Sequence, residues 1–421
     1  MNQSDVFELL VGAGAAIRFQ GFDGSRAGPP DAETTVEIRS PRALSYLATS
    51  PGDLGLARAY IMGDLEVRGD LYTAMGGLIG RDLRLSWPDR WRAFRNLGGF
   101  RLLQHPPRPA QEVRLRGNRH SKARDAAAIA HHYDVSNRFY EWLLGPSMTY
   151  TCALFPADGT TLEQAQFAKH DLVARKLGLR PGQRLLDVGC GWGGMVMHAA
   201  RHYRARALGV TLSRKQAEWA QKQIAESGLS ELAEVRHLDY RDVTETGFDA
   251  VSSIGLTEHI GKAQLPGYFR FLHDRLVPGG RLLNHCITRP NNLEPAARKR
   301  HFINRYIFPD GELEGVGHLI SVMHDTGFEV RHEENLREHY ARTLTGWSAN
   351  LDARWDASVA EVGLARARTW RLYLVGSRIG FERNQIQLHQ VLCAKPDPDG
   401  ASHAPLRPEW EPPATEPAGA G

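Results

Sequence analysis

The chain has 421 residues, a formal net charge of +4, a hydrophobic content of 42% and a charged content of 24%. This length predicts two domains or one large domain with an added cap, and the composition is ordinary for a globular protein. No apolar run is long enough to span a bilayer and the N-terminus lacks a signal-peptide pattern, so a cytoplasmic location is expected. The four cysteines are scattered without metal-ligand spacing, which predicts neither a disulfide nor a metal site.

The pattern divides the chain into three parts. Residues 1–115 have the pattern of a small mixed module and a basic linker, in which the prolines within 106–109 prevent a helix. Residues 116–395 form the larger, regularly patterned part. Residues 396–421 are rich in Pro, Ala and Gly, and we expect this tail to be disordered.

The linker is the most basic segment of the chain. From Arg81 to Arg124 it has twelve Lys or Arg residues and three acidic residues, with aromatic side chains interleaved at Trp87, Trp91, Phe94 and Phe100. Cations beside amphipathic aromatic rings are typical of a surface that binds anionic lipid. Nucleic acid would suit the same composition, and so would a solvated linker with no ligand.

From Leu162 onward, apolar strand patterns alternate with amphipathic helix patterns. The predicted strands are 184–188, 206–210, 233–237, 249–254, 281–287, 328–332 and 386–393. This alternation predicts an α/β fold with a mostly parallel, seven-stranded, Rossmann-like sheet that has crossover helices on both faces. The N-terminal residues add a smaller mixed and helical domain.

A glycine-rich loop at 189–194 follows the first of these strands and precedes a helix. Its Gly-x-Gly-x-x-Gly spacing fits dinucleotide binding. Three features count against a dinucleotide: Asp187 precedes the glycines, Trp192 lies within the loop, and the second strand ends at 210–213 without a carboxylate for a ribose. A sulfonium nucleoside carries no pyrophosphate and needs only close backbone approach and a negative field. The loop therefore favours S-adenosylmethionine, and a turn that only packs a helix onto the sheet is the alternative.

Several other segments share the order and spacing of a known family. They are HYDVSN at 132–137, YTCALF at 150–155, GVTLS at 209–213, DYRD at 239–242, EHIG at 258–261, YIFPDG at 306–311 and QIQLHQ at 385–390. Together with the glycine loop, they resemble the cyclopropane-fatty-acyl-phospholipid synthase family, which includes the mycolic acid methyltransferases. The resemblance covers roughly residues 50–393, and it implies a class I methyltransferase fold.

The resemblance also implies a reaction and its site. A methyl group would pass from S-adenosylmethionine to the cis double bond of an unsaturated phospholipid acyl chain, and proton loss to a bound bicarbonate would close a cyclopropane ring. The implied bicarbonate ligands are the side chains of Glu258, His285 and Tyr340 and the backbone of Cys152 and Ile287. The implied cofactor residues are Tyr150, Thr151, Asp187, Gly189, Gly191, Gly193, Thr211, Gln216, Asp239 and Tyr240. Aromatic rings that could stabilise the carbocation are Tyr306, Phe308, Tyr340 and Trp347.

Elementary chemistry constrains these implied roles. Glu258 would repel bicarbonate unless a proton is shared or His285 is cationic, so coupled titration is expected. Cys152 has no neighbouring base in the sequence, which makes it structural rather than nucleophilic. Thr257 stands where the family often has an aromatic residue, and Ser377 stands where it often has a cysteine. A changed cation environment would allow a methylene- or methyl-branched product in place of the ring.

Other functions and partners follow from the same residues. A nucleic-acid methyltransferase is one alternative, but no Asn-Pro-Pro-aromatic tetrad follows the strand at 249–254. A non-catalytic lipid-binding protein is another. The expected partners are unsaturated phospholipid chains and an anionic membrane surface, with peripheral attachment to the inner face of the plasma membrane and no nucleic acid. Family members can form dimers, so a homodimer is a further expectation by analogy.

Overall fold

The computed structural model describes residues 2–12, 16–78, 86–113, 117–133, 136–293, 301–408 and 410. In chain order, its strands are β1 (Ile17–Gln20), β2 (Arg26–Ala27), β3 (Thr34–Ile38), β4 (Leu65–Arg68), β5 (Arg184–Val188), β6 (Arg206–Thr211), β7 (Ala233–His237), β8 (Phe248–Ile254), β9 (Leu276–Thr288), β10 (Glu329–Asn335) and β11 (Gln387–Ala394).

The helices lie before and between these strands. In chain order, the α-helices are α1 (Gln3–Val11), α2 (Pro41–Thr49), α3 (Asp53–Ile61), α4 (Leu71–Leu78), α5 (Trp87–Leu97), α6 (Lys122–Tyr133), α7 (Asn137–Leu144), α8 (Leu162–Leu177), α9 (Gly194–Tyr203), α10 (Arg214–Glu226), α11 (Leu265–Arg275), α12 (Phe302–Tyr306), α13 (Val316–Asp325), α14 (Arg337–Ala353), α15 (Trp355–Val362) and α16 (Leu364–Glu382). Short 3-10 helices cover Gly99–Leu103, Tyr240–Asp242, Thr257–His259 and Lys262–Gln264.

The chain divides into two compact units. The first comprises Met1–Leu115, Arg298–Pro309 and Leu344–Glu382, and the second comprises Arg116–Ala297, Asp310–Thr343 and Arg383–Gly421. Two late segments thus belong with the N-terminal residues, an association that a division of the chain at residue 115 does not include. Local sequence patterns do not reveal it, because it depends on contacts between residues far apart in the chain.

A four-stranded sheet in the order β2-β1-β3-β4 forms the centre of the first unit. Strands β1 and β3 are parallel, whereas β2 and β4 pair antiparallel with their neighbours. Buried strand residues such as Ile17 and Val36 share one apolar cluster with Tyr60 of α3 and with Val375 and Ile379 of α16. The mixed strand and helix content expected for the N-terminal domain is confirmed.

The second unit contains the predicted seven-stranded sheet, in the order β10-β11-β9-β8-β5-β6-β7. The five strands from β9 to β7 in that order are parallel, and β11 runs antiparallel to both of its neighbours, β9 and β10. One apolar cluster packs α8, α9 and α10 against the sheet, and another packs α11 and α13. This is the class I methyltransferase topology, and the fold prediction is confirmed.

The parallel strands all point the same way, so their carboxyl ends lie on one edge of the sheet. That edge carries the glycine loop after β5, the turn after β6, the 3-10 helix after β7 and the 3-10 helix after β8. In open α/β sheets, ligands bind in the crevice outside the carboxyl ends of the strands. The functional site is therefore sought there.

The start of the predicted tail packs against the second unit. Trp410 is buried, its ring lies edge-on to His332 at 5.2 Å, and its carbonyl accepts a hydrogen bond from Arg175. The Trp410 side chain thus packs on the fold, because an apolar indole gains from burial. Residues 411–421, for which disorder is also expected, lie outside the described residues. Among the described residues, no helix combines the length and apolar character needed to cross a membrane.

Candidate active site

The glycine loop brings bare backbone to the sheet edge. Gly189, Gly191 and Gly193 have φ angles of +75°, +55° and +78°, a region that side chains rarely adopt. A Cβ at Gly189 would lie 3.1 Å from Leu256, whereas a Cβ at Gly191 would meet only the amide of Gln216 at 4.0 Å. The loop thus leaves room for a ligand to approach the chain closely.

A cavity with an empty volume of about 530 Å³, part of it open to solvent, lies beside this loop. Six of the ten predicted cofactor residues line it: Tyr150, Thr151, Asp187, Gly189, Gly191 and Gln216. The remaining lining residues are Met148, Thr149, Lys169, His170, Cys190, Trp192, Gly194, Met195, Ile254 and Gly255.

The other four predicted cofactor residues lie around this cavity's edge of the sheet. Gly193 closes the loop, and Thr211 donates a hydrogen bond of 2.7 Å to Gln216. Asp239 accepts hydrogen bonds from the backbone and side chain of Arg241; burial opposes its ionisation, but these bonds prevail and lower its pKa. Tyr240 packs edge-on against Tyr268. Their contact with the adenosine remains a prediction.

Two buried groups of opposite charge line the cavity. Burial raises the pKa of Asp187 to about 6, although a 2.6 Å hydrogen bond from Ser252 and the charge of Lys169 oppose this. Burial lowers the pKa of Lys169 to about 7, opposed by the charge of Asp187. The Lys169 ammonium donates to Thr151 Oγ1 at 3.1 Å. The cavity therefore offers both an acid and a base to a zwitterionic ligand.

Glu258 lies in the 3-10 helix after β8, and it is 8% exposed. Its Oε1 accepts a 2.6 Å hydrogen bond from the backbone N–H of Ile287, while its buried Oε2 has no partner among the described residues. Burial raises the pKa of Glu258 to about 7. A smaller cavity of about 220 Å³ adjoins it, lined by Thr257, Glu258, Gly261, Lys262, Leu265, Ile287, Glu312, Glu314 and Leu319.

His285 lies near the carboxyl end of β9 and is 1% exposed. Its Nδ1 is 3.1 Å from Nε2 of Gln390, and its buried Nε2 has no hydrogen-bond partner in the described part of the chain. Burial lowers the pKa of His285 well below its ordinary value, and the charges of Lys169 and Lys176 lower it further. The ring is therefore neutral at pH 7. The coupled titration expected for Glu258, His285 and a bound bicarbonate stays a prediction.

The sequence from 120 to 391 matches the family model described as mycolic acid cyclopropane synthetase. The chain belongs to this family. A "probable fatty acid methyltransferase" of Mycobacterium tuberculosis is 52% identical to it over 425 residues, which cover 98% of this chain and 99% of the relative. A protein of the same description from Pseudomonas putida is 37% identical over 92% of this chain and 94% of its own length.

Solved structures agree with this assignment. A mycolic acid cyclopropane synthase complexed with SAH and CTAB superimposes with a TM-score of 0.60 and 36% identity, over 64% of this chain and 97% of that one. The cyclopropane synthase MmaA2 from Mycobacterium tuberculosis has a TM-score of 0.61 and 33% identity, over 66% of this chain and all of its own. The chain is an S-adenosylmethionine-dependent methyltransferase of a family that modifies lipids. The cavity beside its glycine loop suits that co-substrate because it presents bare backbone and a buried acid.

In this methyltransferase, some of the predicted bicarbonate ligands already make hydrogen bonds within the protein. The N–H of Ile287 is already bonded to Glu258, so it reaches an anion only through that carboxyl group or after the bond opens. The Cys152 thiol donates to its neighbour's carbonyl at 3.2 Å and lies near the carbonyl of Leu336; its burial raises the thiol pKa. Tyr340 is buried in the first turn of α14, after Leu336. Their roles toward an anion stay predictions.

Three of the predicted cation-stabilising rings belong to the first unit of the methyltransferase. Tyr306 packs on Phe302 with ring centroids 5.3 Å apart, Phe308 lies edge-on to Tyr373, and Trp347 is fully buried. Their contact with substrate remains a prediction. The unusual Thr257 is buried too, and its hydroxyl donates to Asn284 Oδ1 at 2.5 Å.

Sequence reasoning missed two lysines of the methyltransferase, Lys169 and Lys176, which are buried on α8. They lie on the face of the helix that also buries Ala165 and Val173. A lysine in line with buried apolar residues is a signal, but long side chains often escape to water from such positions. Only the tertiary structure decides which outcome applies.

Proposed function

We propose that the methyltransferase acts on the cis double bond of an unsaturated fatty acyl chain in a membrane phospholipid and forms a cyclopropane fatty acid. The observation that carries this proposal is the pair of buried polar atoms, Glu258 Oε2 and His285 Nε2, that lack partners among the described residues. Buried polar groups in folded proteins are almost always hydrogen-bonded, so these two atoms support a small polar ligand near them. Bicarbonate is the ligand we propose.

Different residues would bind the anion and the methyl donor. Protonated Glu258 and neutral His285 each present a hydrogen-bond donor, and two donors suit an anion. Bound there, bicarbonate would accept the proton that the methylated cation loses as the ring closes. The glycine loop and Asp187 would hold the donor, since a buried carboxylate favours a sulfonium cation. Because an alkene is a weak nucleophile, the methyl transfer itself would depend on alignment of the two reactants and on exclusion of water.

An anionic membrane surface is the proposed site of action, with the protein attached to the inner face of the plasma membrane. Helix α5 and the 3-10 helix after it expose Trp87, Trp91 and Phe100 by 78%, 54% and 80% of their surfaces. Arg92 and Arg95 are exposed on the same helix. Such a mixture supports lipid headgroup binding more than nucleic-acid binding. A homodimer is also proposed, and light scattering of the purified protein would test it.

A second product is possible from the same acyl chain, namely a methylene- or methyl-branched fatty acid. Two relatives are described as probable fatty acid methyltransferases. The buried, hydrogen-bonded Thr257 replaces an aromatic neighbour of the proposed cation. A less stabilised cation would favour a hydride shift over direct ring closure.

The decisive experiment uses the purified full chain, vesicles of dioleoyl phosphatidylglycerol, bicarbonate and S-adenosylmethionine labelled with ¹³C in its methyl group. A cyclopropane product gives an acyl chain one carbon heavier with an upfield labelled methylene signal, whereas an exocyclic methylene gives an olefinic signal. A protein that binds SAH but produces no heavier chain would contradict the proposal. Omission of bicarbonate tests the proposed anion separately.

A further inference from the structure

Four polar side chains of the second unit form a line of contacts that ends at His285. The Lys176 ammonium is completely buried, pairs with Glu334 and lies 2.8 Å from Gln390 Oε1. Gln390 is also completely buried, and its Nε2 is 3.1 Å from His285 Nδ1. Strands β11 and β9 bring Gln390 and His285 together, since Gln390 on β11 is the register partner of His285 on β9.

The chemistry of these groups fixes the direction of each hydrogen bond. An ammonium can only donate, so Lys176 must face the oxygen of the Gln390 amide. The amide NH₂ then faces His285 and donates to Nδ1, which must therefore be unprotonated. A neutral imidazole carries one proton, so that proton lies on Nε2. Nε2 is the buried atom without a partner among the described residues.

We propose that Lys176 and Gln390 are positioning residues that hold His285 in the Nε2–H tautomer, so that it offers a donor to the active site. The catalytic use of this donor rests on the proposed function, whereas the tautomer follows from the hydrogen bonds alone. It has a chemical consequence: the one bare nitrogen of His285 is occupied by Gln390, so His285 does not take up the proton that the substrate cation loses. His285 holds the base rather than acting as the base.

The tautomer can be observed directly in the wild-type full chain. Ring-¹⁵N-labelled histidine is incorporated, and the His285 signals are assigned by their absence from a His285→Gln variant. At pH 7 we expect Nε2 to have the shift of a protonated nitrogen and Nδ1 that of a bare nitrogen. The opposite pattern, or two protonated nitrogens, would overturn the proposal without any need for an activity measurement.

A Gln390→Glu variant tests the relay. A carboxylate still accepts from Lys176 but can only accept from His285, so the proton should move to Nδ1 and leave Nε2 bare. Loss of the hydrogen-bond partner of a metal-bound histidine typically costs about 10- to 100-fold, and by analogy kcat on vesicles should fall by about that factor. The dissociation constant for SAH should stay within about twofold, because Gln390 does not line the cofactor cavity.

The matched control is Gln387→Glu, the same exchange on the same strand, where the side chain bonds to Asn384 instead. It should leave both the tautomer and kcat unchanged. Loss of activity in Gln390→Glu with the Nε2–H signature intact would refute a positioning role, and so would a moved proton with full activity. If the wild type fails to modify vesicles, the proposed function falls, while the spectrum still decides on the tautomer.

Discussion

Glu258 couples the site to pH through its buried carboxyl group. Burial raises its pKa to about 7 from the ordinary glutamate value of 4.5, although the N–H of Ile287 stabilises the charge. The folded protein therefore holds this proton more tightly than the unfolded chain does. The stabilisation is fully present below pH 4.5 and is lost as the pH rises through 7, where a buried charge must be carried.

A Glu258→Gln variant removes that charge while it keeps an acceptor for Ile287. Relative to wild type, its free energy of unfolding should rise by roughly 2 kcal/mol between pH 5 and pH 8, since each pKa unit corresponds to about 1.4 kcal/mol. Urea unfolding at both values measures the difference, with the exposed Glu231→Gln as the control. Equal pH dependence in wild type and Glu258→Gln would show that this carboxyl group is not held protonated.

Lys169 is predicted to bind the amino-acid end of the methyl donor. Its buried ammonium and the buried Asp187 line one cavity, and their opposite charges complement the carboxylate and ammonium of a methionine group. A Lys169→Met variant should bind SAH about tenfold more weakly, because hydrogen bonds to charged groups are worth about 1.5–3 kcal/mol. Methylthioadenosine lacks that end and should bind equally to both proteins in calorimetry. Equal losses for the two ligands would contradict the assignment, and Lys222→Met on the surface serves as control.

At the scale of elements, strand prediction succeeded where apolar runs are bounded by glycine or polar turns. Strand β7 has the predicted bounds of 233–237, since both of its neighbouring segments are polar. Strand β9 was expected to begin at residue 281 but begins at Leu276, and the register of its pairing with β8 shifts between Phe248 and Ala250. Leu276 pairs with Phe248 before this irregularity, so the strand begins earlier than expected, and the proline and two glycines of the predicted turn lie within the irregular stretch.

Helix α5 is an element whose exposed face has a predicted role. Trp87 and Trp91 are four residues apart and thus lie on one side of the helix. Replacing both with serine should weaken binding to phosphatidylglycerol vesicles by about tenfold or more, because each buried aromatic side chain contributes roughly 1.5–3 kcal/mol. Vesicle sedimentation measures this, and Leu406→Ser, another highly exposed apolar residue, is the control. Unchanged sedimentation of the double variant would rule out this helix as a membrane contact.

At the scale of the whole molecule, the sequence predicts those features that depend on neighbouring residues and not those that depend on contacts between distant segments. The sheet follows from local strand and helix patterns, and five of the residues that line the cavity lie in or directly beside short motifs, whereas Gln216 lies outside them. Contacts across long separations did not follow: Lys176 meets Gln390, 214 residues away, and α16 joins the core of the first unit. The buried Trp410 is a third case, because a tail rich in proline and glycine gives no local reason to expect an anchor.

The discontinuous first unit predicts the behaviour of a shortened chain. Without residues 1–115, α16 would expose Val375 and Ile379, and Arg368 would lose its ion pair with Glu66. Exposed apolar surface and an unpaired buried cation both favour aggregation or unfolding. A 116–421 fragment should therefore be poorly soluble and bind SAH weakly in calorimetry, although it contains the whole cofactor cavity.

Coexpression of the two parts of the chain tests whether the fragment behaves poorly because α16 has lost its contacts with residues 1–115. If α16 needs its partners, a separate 1–115 chain should copurify with 116–421 and restore SAH binding, because the same apolar and ionic contacts can form between two chains. A 1–115 chain with Glu66→Ala is the matched control, since it lacks the acceptor for Arg368 and should rescue less. A 116–421 fragment that is soluble and binds SAH as tightly as the full chain would show that α16 does not depend on the N-terminal residues.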